Sequence, residues 1–144
     1  MRKSIVFIFL VIVLSSLALT QQNSSEQKPA QPPVTTVPPV PADAAKNANP
    51  VKPTQESIAA GKKYYGYDCA MCHGETGDGK GEVAVAEGYN LKDFRDPETL
   101  KNKTDGELFY VLKKGHGKMP AEPVRVTENE LWNLVNYVRS FAKK

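Results

Sequence analysis

The chain has 144 residues, a formal net charge of +3, 40% apolar residues, and only two cysteines and two histidines. That leaves room for one small domain. It offers no basic surface for nucleic acid, because residues 1–53 carry five basic and two acidic side chains while residues 54–144 carry fourteen of each.

At the N-terminus, Arg2 and Lys3 precede an apolar run from Ile5 to Leu14 that continues less strictly to Leu19. This is the layout of a signal peptide. The run is short for a membrane-spanning helix, which wants about 20 apolar residues. Ser16-Leu17-Ala18 and Ala18-Leu19-Thr20 are both weak cleavage sites, so residues 1–20 read either as a cleaved signal peptide or as a retained N-terminal anchor. Both place the remainder in the periplasm or on the outer face of the membrane. Residues 21–53 hold eight of the eleven prolines and no glycine. A segment of that composition cannot bury a core and is expected to be a disordered linker, running as extended polyproline II. At ~3.1 Å per residue it reaches up to roughly 100 Å, as a tether or as a tail without mechanical purpose.

The folded domain is expected over residues 54–144, built of helices and loops with no convincing strand. Thr54 caps a first helix from about Gln55 to Tyr65. A glycine-rich loop, Gly74 to Gly81, comes next, then a short helix over Glu82–Glu87. Thr104-Asp105-Gly106-Glu107 is a capping box opening a helix to about Lys113, closed by Gly115. A second box, Thr127-Glu128-Asn129-Glu130, opens the last helix to about Phe141. Its apolar stripe is Leu131, Leu134, Val135, Val138 and Ala142, flanked by Trp132 and Tyr137.

Both cysteines and one histidine fall together in Cys69-Ala70-Met71-Cys72-His73. A redox dithiol has no need of the histidine. A zinc site wants a fourth ligand from a second cluster, and the only distant nitrogen is His116. The reading that uses all three residues is C-x-x-C-H, the attachment signature of c-type haem. In it the Cys69 and Cys72 thiols become thioethers to one covalent haem c, and His73 supplies an axial bond to iron. No disulfide is then expected. A domain this small is marginal without such a staple.

Haem iron has a second axial position, commonly filled by methionine or histidine. Met71 is pinned inside the pentapeptide and cannot reach the far face. Met119 lies 46 residues after His73, in Gly117-Lys118-Met119-Pro120, and is the expected sixth ligand. His116 and an open, gas-binding iron are the alternatives.

Over residues 56–142 the chain resembles a class I c-type cytochrome, of the small bacterial monohaem kind related to the haem domains of cbb3-type oxidases. The matching residues are Gly61-Lys62-Lys63-Tyr64-Tyr65, then the C-A-M-C-H-G run, Gly77-Asp78-Gly79, Lys113-Lys114-Gly115, Met119-Pro120, and Trp132, Leu134 and Tyr137 in the last helix. The resemblance implies an all-α fold wrapped around one haem, with the first and last helices crossing. Gly61 and Tyr65 would meet Leu134 and Tyr137 there. The chain departs from the family in lacking a proline about a dozen residues after the haem histidine. The carbonyl that orients His73 through its second N–H is therefore not named by the sequence.

The function expected is transfer of single electrons between respiratory or other redox partners, without an enzymatic reaction. The alternatives are a haem subunit or module of a larger oxidoreductase, and a gas-binding sensor. Redox proteins would dock at the haem edge. Lys113, Lys114, Lys118 and Arg125 read there as a steering basic rim or as ordinary solvated side chains.

Overall fold

The computed structural model describes residues 37–143, with the side chain of Lys143 excepted. The signal-or-anchor stretch 1–20 and the first part of the linker, residues 21–36, lie outside the described residues. The described chain is helical, and its only strand-like feature is an isolated pair between His116 and Met119. The fold is all-α, as expected.

A single turn, α1 (Ala42–Ala45), comes first. Helix α2 (Gln55–Tyr64) starts where the Thr54 side chain accepts the Ser57 N–H. The sequence predicts a stop near Tyr65. Instead the helix widens into one π-helical turn, Tyr65–Cys69, and runs on into α3 (Ala70–His73). A π turn inserts residues without breaking the rod and re-aims the turns beyond it. Here it buries Cys69 and delivers His73 at the rod's end. Helix α4 spans Glu82–Ala86 and α5 spans Pro97–Leu100. The latter escapes the sequence reading, although Asp96 as cap with Pro97 at the first helical position is a legible start signal. Helices α6 (Asp105–Lys114) and α7 (Glu128–Ser140) both open on complete capping boxes, as expected. A 3-10 turn, Phe141–Lys143, ends the described chain.

The centre of the fold is the crossing of α2 and α7. A Cβ built on Gly61 would stand 2.2 Å from the Asn133 carbonyl oxygen, so the two backbones touch and only glycine fits. Around that contact the Tyr65 and Tyr137 rings meet edge to face at 5.2 Å, and Phe141 lies 5.2 Å from Tyr65 and 4.8 Å from Tyr137. Leu134 belongs to the same buried cluster. The pairing implied by the resemblance is therefore present. Elsewhere on α7, Trp132 stacks on Phe109 of α6 at 4.0 Å.

Helix α7 is buried more completely than its apolar stripe predicts. Every residue from Leu131 to Val138 is buried, including Asn133 and Asn136. The cover comes from residues read as linker. Asn136 donates to the Val51 carbonyl at 3.0 Å and to the Ser57 hydroxyl at 2.8 Å. Its own side-chain oxygen accepts from Asn49 at 2.9 Å, and Asn49 also reaches the Trp132 carbonyl at 3.3 Å. Turn α1 packs on α6. The expectation of a disordered linker to residue 53 thus differs from the structure over 37–53. Its prolines suit extended chain, but Asn49, Val51 and the Ala42–Ala45 turn give it enough contacts to lie against the domain.

Candidate haem site

The C-A-M-C-H run sits at the end of the α2–α3 rod, and the glycine-rich loop folds back to secure it. The Gly79 N–H donates to the His73 carbonyl at 2.8 Å and the Gly81 N–H to the Cys72 carbonyl at 3.1 Å. A Cβ on Gly81 would lie 2.4 Å from the Met71 carbonyl oxygen, so this return path requires glycine. The Tyr65 hydroxyl donates to the Gly74 carbonyl at 2.8 Å, tying the rod to the loop's first residue. Further along, the Phe94 N–H donates to the Gly77 carbonyl at 2.7 Å. That bond places the Phe94 ring in a stack with the His73 imidazole, 4.9 Å between centroids at 23°.

Two cavities meet at this point. The inner one, about 150 Å³, is lined almost wholly by apolar side chains, among them Tyr65, Leu108, Leu112, Leu134, Val135 and Val138, together with Cys69, His73 and Met119. The outer one, about 240 Å³, shares Cys69, His73 and Met119 and adds Cys72, Tyr89, His116, Lys118 and Glu122. Together they fall within the size range of small-molecule and cofactor sites, about 300–1,000 Å³. A larger cleft of about 680 Å³ beside Lys62, Glu75, Arg95 and Phe141 contains no cysteine, histidine or methionine.

Each residue singled out in the sequence has a definite place. Cys69 is buried and Cys72 half-buried, and both thiols are free. Burial pushes the Cys69 thiol up to about 12, with smaller contributions in the same direction from Glu122, Asp68 and Cys72. His73 is half-buried and burial lowers its pKa, which favours the neutral imidazole, the form that binds metals. Its Nδ1 is fully buried and has no hydrogen-bond partner, so Nδ1 is a polar atom that the protein leaves unsatisfied in its own core. Met119 stands on a tight hairpin. His116 and Met119 exchange both backbone hydrogen bonds, at 2.9 and 3.0 Å, and the Glu122 N–H anchors the returning chain to the Leu112 carbonyl at 2.8 Å. Met119 packs against the core cluster, whereas His116 is exposed and lines only the outer cavity.

Sequence reasoning missed Phe94 and Glu122. No spacing rule links an aromatic in Asp93-Phe94-Arg95 to a histidine 21 residues earlier. Glu122 is half-buried at the outer cavity, and desolvation raises its carboxyl pKa, with Asp68 adding to the rise and Arg125 opposing it. The four cations read as a rim are largely engaged within the molecule. Lys113 pairs with Glu128, Arg125 pairs with Asp68 at 3.0 Å, and the Lys118 ammonium lies 4.4 Å from the Tyr89 ring centroid.

The donor set suits haem c. The Cys69 thiol, the His73 imidazole and the Met119 thioether line the inner apolar slot, and the Cys72 thiol joins them at the outer cavity. Among the described residues no group of three or more histidine, cysteine, aspartate or glutamate side chains is placed to hold a bare metal ion, so the zinc reading finds no support. An all-helical fold with C-x-x-C-H on the wall of an apolar slot defines a c-type cytochrome domain. The chain belongs to the family described as cytochrome c oxidase, cbb3-type, subunit III, which it matches over residues 56–138. It is also similar to a chain of the reducing HAO-like protein complex of Kuenenia stuttgartiensis, at 31% identity and a TM-score of 0.53. That similarity covers 64% of this chain and 46% of the other. The protein is therefore a haem c electron-transfer domain carrying one covalent haem.

Proposed function

We propose that the protein is an exported monohaem cytochrome that passes single electrons between redox proteins, with haem c held by Cys69 and Cys72 and its iron bound by His73 and Met119. A bound haem c supplies an iron that alternates between two charge states. The observation that carries the reading is that His73 and Met119, alone among candidate axial residues, both line the inner apolar slot. The chain's own residues do the rest. Leu108, Leu112, Leu134, Val135 and Val138 exclude water, which raises the cost of the more highly charged ferric state. A thioether, neutral and soft, favours the ferrous state further. Phe94 holds the His73 ring by stacking. Ligation by both His73 and Met119 would leave a bound haem iron no open position for substrate, which supports a carrier over an oxygen-activating enzyme. Among the described residues no helix is long and apolar enough to cross a membrane, so any anchoring would rest on residues 1–20.

A second reading is a haem module of a larger oxidoreductase. It is favoured by the family's subunit name and by a structural neighbour that belongs to a complex and of which the match spans under half. Pairing of Lys113 with Glu128 and of Arg125 with Asp68 reduces the charge of the rim, which is consistent with either reading.

The test is spectroscopic and chemical. Purified protein should stay coloured after denaturation and extraction with acidified acetone, and its iron should be six-coordinate and low-spin in both oxidation states. It should not bind carbon monoxide. Met119→Ala should abolish the ferric sulfur-to-iron absorption and admit carbon monoxide, while His116→Ala should not. The reverse pattern would make the iron bis-histidine.

A further inference from the structure

Residues 37–53 are held against the domain at three places. Asn49 and Val51 bond to α7 through Asn136 and Trp132. Turn α1 lies on the first turn of α6 so closely that a Cβ on Gly106 would come within 2.1 Å of the Ala44 carbonyl oxygen and 2.7 Å of that of Asn47. At the far end, Val37 reaches the tip of the methionine hairpin, where its Cγ2 lies 3.2 Å from the position of a Cβ on Gly117. Gly117 has φ +61, a left-handed conformation that glycine adopts freely, and it turns the chain between His116 and Met119. His116, Lys118 and Pro120 of that tip are all exposed, and of these Lys118 reaches back over the Tyr89 ring. No residue of 37–53 lines either cavity, so whatever the segment does to the site it does through Gly117, α6 and α7.

We propose that residues 37–49 are a positioning strap for Met119. The strap spans from the start of α6 to the hairpin beyond its end, and so closes over the one element that carries the candidate sixth ligand. A hairpin with an exposed tip opens locally more readily than a packed helix. Contact with Val37 lowers the population of the opened form, and Met119 leaves the slot only in that form. The strap therefore sets how often a small external ligand gains access, without touching the site.

The proposal rests on Met119 as the sixth ligand, and the experiment separates the two. In the full-length haem-loaded protein, Val37→Asp, Val37→Ile and Gly106→Ala are compared with Met119→Ala. Two quantities are read: the rate at which cyanide binds the ferric protein, and the hydrogen-exchange protection of the His116 and Met119 amides. Val37→Asp and Gly106→Ala should each raise the cyanide-binding rate about tenfold and lower the amide protection by the same factor, which corresponds to about 1.4 kcal/mol, and Val37→Ile should keep wild-type values. Gly106→Ala has a built-in control of sign, since alanine is the better helix former and a purely local effect would steady α6. Unchanged rates in both variants, beside rapid cyanide binding by Met119→Ala, would overturn the strap and leave the ligand assignment standing. An unaltered spectrum in Met119→Ala would overturn both.

Discussion

Asn136 shows how much can hang on one side chain. It is 5% exposed, and it joins the Val51 carbonyl, the Ser57 hydroxyl and the Asn49 amide. Asn136→Ala should cost about 2–3 kcal/mol, because its partners are left in a site closed to water, and a urea titration of the haem-loaded protein measures it. Glu122 makes the opposite case. Burial raises its pKa in the folded state above the unfolded value, so the fold prefers its protonated form. The associated stability is present below the unfolded pKa and is lost as pH rises through the folded one. Glu122→Gln should therefore stabilise the protein at neutral pH and flatten its pH dependence just above the usual carboxylate range. Glu122 is only half-buried, so solvent screening should keep the gain under about 1 kcal/mol. At this scale the candidate site is legible where covalent attachment would dictate spacing. Cys69, Cys72 and His73 would have to lie within one short run to grip one ring system. Phe94 was not legible, because stacking on His73 depends on a loop path set by the Gly77 carbonyl and leaves no local mark in sequence.

Among the elements, the α2–α7 crossing has the least tolerance. Gly61→Ala improves helix propensity, yet its new methyl would meet the Asn133 backbone and the Tyr137 Cβ. The variant should lose about 2–3 kcal/mol, seen as a lower thermal midpoint with the haem spectrum intact. The capped helices were readable to within a residue or two because their start signals are local: Thr104 with Glu107, and Thr127 with Glu130. The π-helical turn over Tyr65–Cys69 was not, since nothing in Tyr-Gly-Tyr-Asp-Cys distinguishes it from ordinary helix, and it exists because it buries both Tyr65 and Cys69. The linker boundary was misplaced for a related reason. Proline content reports that a segment lacks regular structure, which is a different property from lacking contacts. The Asn49 side chain and the Val51 carbonyl carry the bonds to α7, and asparagine in a polar stretch gives no sign of what it will meet.

For the whole molecule, the strap and the crossing divide the chain's stability unevenly. A protein shortened to begin at residue 37 keeps the whole strap and serves as the reference. One shortened to begin at Pro53 loses the Asn49 and Val51 bonds and exposes α7, and with about 2 kcal/mol gone its midpoint should fall by roughly 8–16 °C. A calorimetric scan of the two decides it. The crossing carries a different consequence, for how the chain assembles. Gly61 lies near the beginning of the domain and Asn133 near its end, so their contact ties almost the whole domain into one ring. Most of the entropy of ring closure has to be spent before that contact returns anything. A nascent chain that has emerged only as far as the Met119 hairpin holds α2 and the C-A-M-C-H run but not the helix that clamps them. Until α7 arrives, the two thiols stand on an unclamped helix, open to whatever machinery must reach them, and folding of the last thirteen-residue helix closes the window.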